Sequence, residues 1–224
     1  MLISYSHQFF FHHMPKTGGV SVAERLEPYC AQPERVWINR LLEQVGIRVN
    51  LVLGPHHWKR FRCHTDMHTV QRVLPRDVFD SLYKFTFVRN PWDWLVSRYH
   101  YIQQRNRHGQ HRRVGRLGGF AEYVRWQASK RRHGQSELVM DRSGNLLVDF
   151  VGRYETLAED FATVTQHLRM PIKPLGRRNT SNHEDYRTYY DRATQQFVRD
   201  HWAHDIEAFG YEYEEVAPPQ LKVA

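Results

Sequence analysis

Residues 8–22, QFFFHHMPKTGGVSV, combine an aromatic run, a glycine pair and the start of a second apolar run. Gln8 to His13 has the length of a buried strand, and Pro15 ends it. A helix follows from about Ser21, whose side chain can cap its first turn. Backbone N–H groups in such a loop converge on an anion that also faces the positive end of the helix. The loop predicts a phosphate or sulfate site, the alternative being a plain turn with an exposed Lys16.

Residues 82–102, LYKFTFVRNPWDWLVSRYHYI, repeat the order of strand, loop and helix. Leu82 to Val88 alternates aromatic and β-branched residues as strands do, and Pro91 suits the first turn of a helix that runs to about Gln104. Arg89 at the strand end offers a rigid guanidinium fork, and Ser97 a hydroxyl on the helix. These donors suit a phosphate dianion. The alternative for Arg89 is a surface ion pair.

The remaining apolar runs continue the alternation. We expect strands at 48–53, 146–153 and 211–216, a short helix at 67–74, a helix that Thr156 and Glu159 open as a capping box, and a long helix between Asp191 and Gly210. Such alternation predicts an α/β protein with a P-loop-like three-layer fold, in which helices flank a central, mainly parallel sheet. Ligands of such sheets bind beyond the carboxyl ends of the strands. We predict one domain over residues 1–216 and a tail over 217–224.

Composition narrows the possible partners. The chain has 224 residues, of which 41% are hydrophobic, so it can bury the core of a domain. Lys and Arg number 32 against 24 Asp and Glu, and the net charge of +8 predicts anionic partners. Between Asp93 and Glu122 there is no acidic residue, and arginines gather from Arg105 to Arg116. This run is either a surface for an acidic glycan or anionic lipid head group or a solvated basic loop.

Targeting signals are not evident in the sequence. No apolar run approaches the roughly 20 residues that span a bilayer, and the first residues do not have the pattern of a signal peptide. We therefore expect a cytoplasmic protein without a transmembrane segment, peripheral to a membrane if it acts on a glycolipid.

The glycine-containing loop and the segment around Arg89 both resemble motifs of sulfotransferases that use 3′-phosphoadenosine-5′-phosphosulfate (PAPS). Pro15-Lys16-Thr17-Gly18-Gly19-Val20-Ser21 is similar to the 5′-phosphosulfate loop of the carbohydrate-type branch, sulfotransferase family 2, including its soluble bacterial members. Phe87 to Ser97 is similar to the 3′-phosphate motif, with its Arg-Asn-Pro start. The resemblance extends to residues 150–155, 179–181 and 205–211. It departs at Val20, where relatives often have Thr, and at Trp94, where many have Arg.

The resemblance implies transfer of a sulfuryl group from PAPS to an acceptor hydroxyl, most often of a carbohydrate or glycolipid, which leaves adenosine 3′,5′-bisphosphate (PAP). It implies no metal. Lys16 is expected to neutralise charge on the leaving oxygen. The donor-binding residues that it implies are Pro15, Lys16, Thr17, Gly18, Gly19, Val20, Ser21, Arg89 and Ser97, together with Arg153, Arg177 and Arg178 in later segments.

A histidine is the expected base for the acceptor hydroxyl near neutral pH. In bacterial relatives, a His followed by a small or hydroxyl residue precedes a segment that leads to Val-Phe-Asp-Ser. His64 occupies that place and is our first choice, with His56 and His57 as alternatives. No acidic or cysteine ligand lies at a metal-binding spacing beside these histidines, so no metal site is predicted.

Two other classes of protein fit the sequence less well. A P-loop kinase would need a Gly-Lys-Ser/Thr loop and a strand-end Asp for magnesium, and neither is evident. A nucleic-acid-binding protein would use the basic run, but the usual motifs of such proteins are absent. We therefore expect no nucleic-acid partner, and the sequence leaves the acceptor and the oligomeric state open.

Overall fold

The computed structural model describes residues 1–30, 50–53, 58–61, 64–130, 134–171, 175 and 184–213. They belong to two compact units, of which the first contains residues 1–89 and 135–180 and the second contains residues 90–134 and 181–224. The single domain over residues 1–216 stays a prediction. No helix in the described ranges has both the length and the apolar character that crossing a membrane requires.

The strands lie in the first unit. They are β1 (Leu2–Ser4), β2 (Phe9–His12), β3 (Asn50–Leu53), β4 (Trp58–Phe61), β5 (Tyr83–Val88) and β6 (Phe150–Arg153). The central sheet has the order β1-β2-β5-β6, with β5 parallel to both neighbours and β1 antiparallel to β2. β3 and β4 form a separate antiparallel pair. The predicted α/β class with a mainly parallel central sheet is confirmed.

Helices follow most of the strands. They are α1 (Gly19–Leu26), α2 (Met67–Val73), α3 (Arg76–Ser81), α4 (Pro91–Gln103), α5 (His111–Val114), α6 (Phe120–Ala128), α7 (Leu157–His167), α8 (Arg192–His201) and α9 (Ala203–Phe209). Short 3₁₀ turns lie at Glu27–Tyr29, Ser136–Leu138 and Tyr186–Tyr189.

An aromatic core lies between the sheet and two helices of the first unit. Its buried members are Phe9, Phe11, Phe85 and Phe87 of the strands, Val22 and Leu26 of α1, Phe161 and Val164 of α7, and Met170. The rings of Phe11 and Phe85 stack at 5.3 Å between centroids. Because β2 and β5 are interior strands, the strand segments that precede both motifs are buried and hold the motifs firmly.

The second unit packs around α4. Asn90 accepts a hydrogen bond from the Trp92 backbone N–H at 3.1 Å, and Pro91 fills the first turn. Trp92 is nearly fully buried, and its carbonyl accepts a hydrogen bond from the Tyr190 hydroxyl at 2.9 Å. The predicted cap of α8 is confirmed, because Asp191 accepts from the Thr194 N–H at 2.7 Å.

Several predicted helix ends were wrong. Ser21 does not cap α1, which begins two residues earlier after a left-handed Gly18. Thr156 does not cap α7 through its side chain; its hydroxyl instead donates to the Asp160 carboxylate at 2.8 Å. The long carboxyl-terminal helix is interrupted at Trp202. Residues 211–213 form no strand, and the rest of that predicted strand lies outside the described residues.

Acid sensitivity of folding is expected from His12. Burial lowers the pKa of His12 from 6.5 to about 3. Between these values the unfolded chain binds a proton that the folded chain excludes, so the free energy of unfolding falls as the pH drops through this window. Between pH 7 and pH 5, the free energy of unfolding of wild type should fall by about 2 kcal/mol more than that of His12→Gln. Urea titrations at both pH values measure this difference.

His204 is exposed on α9 and provides the control for loss of a histidine. His204→Gln should show the same loss between pH 7 and pH 5 as wild type. An equal loss in wild type and His12→Gln would contradict the predicted exclusion of the proton by His12.

Candidate functional site

The loop between β2 and α1 holds two residues in the left-handed region. Lys16 has φ 65° and Gly18 has φ 75°. The conformation at Lys16 costs about 1–2 kcal/mol for an L residue, and such strain is typical of functional loops. Thr17 is buried, and its hydroxyl donates to the Met14 carbonyl at 3.2 Å. Thr17 therefore holds the loop in shape.

The first turn of α1 contains no acidic residue. Gly18, the residue before the helix, has no side chain that could cap it. The Ser21 N–H donates to the Gly18 carbonyl at 3.0 Å, so that amide is used within the loop. The preceding amides at the start of a helix have no acceptor within the helix, and together with its dipole they favour an anion. This supports the prediction of a phosphate or sulfate site.

Both glycines are required for steric reasons. A Cβ at Gly18 would lie 2.5 Å from Leu157 Cδ2, and the positive φ disfavours other residues. A Cβ at Gly19 would lie 2.2 Å from Cδ2 of the His13 ring. The glycine pair therefore allows Leu157 and His13 to pack directly against the loop backbone.

Arg89 lies beside this loop at the end of β5. It is buried, and its guanidinium carbon lies 4.1 Å from the centre of the Tyr154 ring. Nη1 of Arg89 donates to the Lys16 carbonyl at 3.4 Å. The structure thus brings together the first residue of one predicted motif and the lysine of the other, with a fixed cation between loop and ring.

Gln135 holds the backbone of Arg89 through two hydrogen bonds. The Arg89 N–H donates to Gln135 Oε1 at 2.9 Å, and Gln135 Nε2 donates to the Arg89 carbonyl at 2.7 Å. Gln135 is fully buried. No pattern in the sequence points to Gln135, because it lies in the stretch that resembles the family least. Tyr154 lies in a stretch that does resemble the family, yet its role under Arg89 was not predicted.

His64 lies near the same loop and is exposed. Its Nδ1 lies 2.7 Å from the His13 carbonyl, and the His13 and His64 rings meet edge to face at 5.2 Å. A carbonyl oxygen only accepts, so Nδ1 carries the proton. In the neutral ring, Nε2 then holds a lone pair and can accept a proton from a hydroxyl.

The other predicted site residues are distributed as follows. Pro15 is half-buried at the start of the loop, and Val20 has an exposed side chain on α1. Arg153 is exposed at the end of β6, and Ser97 is fully buried on α4 of the second unit. His56, His57, Arg177 and Arg178 lie outside the described residues.

The basic run of the second unit surrounds the short helix α5. Arg105 lies over the Tyr101 ring at 4.6 Å, while Arg112, Arg113 and Arg116 are exposed. Burial and the nearby Arg98 lower the pKa of Lys130, in the same unit, to about 8. The concentration of positive charge in the second unit is consistent with the predicted preference for anions.

The fold and the loop define a class of protein. The mainly parallel sheet with flanking helices is the P-loop-like fold of sulfotransferases. The crystal structure of mouse sulfotransferase SULT7A1 complexed with PAP matches this chain with a TM-score of 0.52 and 14% sequence identity, over 89% of this chain and 84% of that chain.

The family model described as Sulfotransferase family matches residues 1–212, and the chain belongs to this family. An uncharacterised protein of Archaeoglobus fulgidus is 32% identical over 120 residues, which make up 53% of this chain and 93% of that protein. The predicted resemblance to family 2 sulfotransferases is confirmed.

Gly19→Ala is expected to destabilise the protein. The new Cβ would overlap the His13 ring and force it away from the loop, and overpacking of this kind costs about 1–3 kcal/mol. Urea denaturation measures the free energy of unfolding.

Gly109→Ala is the matched control, because a Cβ at Gly109 meets nothing within 4 Å. Its free energy of unfolding should stay within about 0.5 kcal/mol of wild type. If Gly19→Ala were as stable as Gly109→Ala, the packing of His13 against the loop would be wrong.

Proposed function

We propose that the protein transfers the sulfuryl group of PAPS to a hydroxyl of a carbohydrate or glycolipid. The observation that carries the proposal is the hydrogen bond between Arg89 and the Lys16 carbonyl, which joins the two motifs at one sheet edge. A donor with phosphate groups at both its 3′ and 5′ positions matches two such motifs that lie side by side. The PAP named for the mouse sulfotransferase structure supports the same choice of donor.

The loop would hold the 5′-phosphosulfate through backbone N–H groups at the start of α1 and through the Lys16 ammonium. The exposed Val20 offers no hydroxyl, and the Thr17 hydroxyl donates to Met14, so backbone donors carry more of the binding than side chains do. The stacked Arg89 guanidinium would hold the 3′-phosphate. A role for Ser97 rests on the resemblance of the motif alone. Arg153 and Arg177 are the proposed additional contacts to the donor.

The reaction needs one proton acceptor and one neutralised leaving group. The acceptor oxygen forms a bond to sulfur while the bond from sulfur to the bridging phosphate oxygen breaks, giving a sulfate ester and PAP. His64 Nε2 would take the hydroxyl proton during attack. The Lys16 ammonium would neutralise the charge on the leaving oxygen. Each of these steps is assigned to a residue of the loop or of the segment beside it.

The acceptor is proposed on different grounds. A carbohydrate acceptor follows from the resemblance to the carbohydrate-type branch. The stretch after Asp93, which contains arginines and no acidic residue, supports an acceptor that carries carboxylate or sulfate groups. Incubation with ³⁵S-labelled PAPS and a panel of neutral and uronate-containing oligosaccharides tests this choice. Label in the uronate-containing members alone would support an acidic acceptor.

Donor binding is expected to stabilise the protein. PAP at about 100 times its Kd should add about 2.7 kcal/mol to the free energy of unfolding, which corresponds to a rise in Tm of about 5–10 °C. Adenosine 5′-monophosphate lacks the 3′-phosphate assigned to Arg89 and should raise the Tm less. Differential scanning fluorimetry measures both shifts.

ATP with magnesium is the comparison that separates a sulfotransferase from a kinase. It should leave the Tm nearly unchanged. Stabilisation by ATP with magnesium and none by PAP would contradict the proposed donor.

Alanine variants of Lys16 and His64 should lose turnover for different reasons. Lys16→Ala should reduce transfer by about 10²–10³-fold, because the leaving oxygen loses its charge partner. His64→Ala should reduce kcat by about 10²–10⁴-fold with little change in PAP affinity, because it removes only the proton acceptor. Transfer of ³⁵S from labelled PAPS and calorimetric titration of PAP measure the two effects.

His56→Ala and His57→Ala serve as comparisons for the base. If either of them lowers kcat in this way and His64→Ala does not, the base has been assigned to the wrong histidine. Turnover of Lys16→Ala close to that of wild type would remove Lys16 from the leaving-group role.

A further inference from the structure

Two successive residues at the end of β2 hold the segment that contains His64. His13 accepts a hydrogen bond at its carbonyl from His64 Nδ1, at 2.7 Å. The neighbouring His12 places Nε2 3.1 Å from the Thr65 carbonyl. His64 and Thr65 are thus bound to the last residue of β2 and to the residue after it, across more than fifty positions of the sequence.

The protonation of His12 follows from its partners. The Thr65 carbonyl only accepts, so Nε2 of His12 carries the proton. Nδ1 of His12 faces the Thr86 hydroxyl at 3.3 Å, and that hydroxyl also lies 3.0 Å from the His12 carbonyl. His12 has no exposed surface, and burial keeps the ring neutral near pH 7. The contact to Thr65 is therefore a fixed tether that does not titrate in that range.

The other side of the segment is held by α2. Asp66 caps this helix, and its carboxylate accepts from the Thr69 N–H at 2.9 Å and from the Thr69 hydroxyl at 3.1 Å. His12 and Asp66 therefore restrain the backbone that directly follows His64. The exposed His64 ring is attached next to this restrained stretch.

We propose that His12 is a positioning residue for His64, a role that rests on the proposed function of His64 as the base. By holding the Thr65 carbonyl, His12 keeps His64 Nδ1 within reach of the His13 carbonyl. That hydrogen bond places the proton of the neutral ring on Nδ1 and leaves Nε2 as the proton acceptor. His12 itself touches no reacting atom in this scheme.

His12→Asn and His12→Gln test the proposal as a matched pair. Both side chains are polar, but only the glutamine amide nitrogen reaches the position of Nε2 and can donate to Thr65. In His12→Asn we expect kcat to fall by about 10–100-fold with PAP affinity unchanged, because a misplaced base loses rate rather than donor binding. In His12→Gln we expect kcat close to that of wild type.

The tautomer of His64 gives a readout that needs no turnover. In ¹⁵N-labelled protein, the ring nitrogen shifts of His64 should report the form protonated at Nδ1 in wild type and His12→Gln, and a mixture in His12→Asn. Ser4→Ala is the control for loss of a buried polar contact, because the Ser4 hydroxyl donates to the distant Tyr29 carbonyl at 2.5 Å elsewhere in the sheet. Its His64 shifts and kcat should match wild type.

The outcomes separate this proposal from the proposed function. If His12→Asn and His12→Gln show the same His64 tautomer and the same kcat, His12 does not position His64. If wild type transfers no sulfuryl group from PAPS but the tautomer changes only in His12→Asn, the tether is supported and the proposed function is not. The tautomer measurement thus decides the structural claim even when catalysis is absent.

Discussion

Parallel pairing of β2 with β5 is the interaction on which the site depends. Phe9 pairs with Tyr83 and His12 with Thr86, so the two strands end at the same edge of the sheet. The loop after one strand and Arg89 after the other then leave the sheet side by side. Nη1 of Arg89 reaches the Lys16 carbonyl although 73 positions separate the two residues. This register therefore brings Arg89 next to the loop that contains Lys16.

Neighbouring residues hold the loop in its strained conformation. Lys16 adopts a left-handed conformation that L residues avoid, and Arg89 holds its carbonyl. Gln135 in turn holds both backbone polar groups of Arg89, and Tyr154 lies under its guanidinium. The aromatic core beneath the sheet fixes the strands from which these residues extend. The Arg89 guanidinium is therefore held in place by its neighbours within the same unit.

Two histidines of the same unit lie in very different environments. His12 is buried between a threonine hydroxyl and a peptide carbonyl, so its ring is neutral and acts as a hydrogen-bond donor. His64 is exposed, and its Nδ1 contacts the His13 carbonyl, which leaves the lone pair of the neutral ring on Nε2. The sequence offers fifteen histidines without distinguishing them, and burial with hydrogen-bond partners makes the distinction.

Local patterns in the sequence determined the strands and helices on either side of the two motifs. The strand before each motif, the helix after it and the Asp191 cap were predictable because alternation, helical spacing and capping depend on neighbouring residues. The exact start of α1 was not predictable in this way. The helix begins after the left-handed Gly18, and Ser21 does not cap it. Only the tertiary structure decided that Gln135 holds Arg89 and that the end of β2 holds the His64 segment. Each of these contacts joins residues far apart in the chain, and only the tertiary fold brings them within hydrogen-bonding distance.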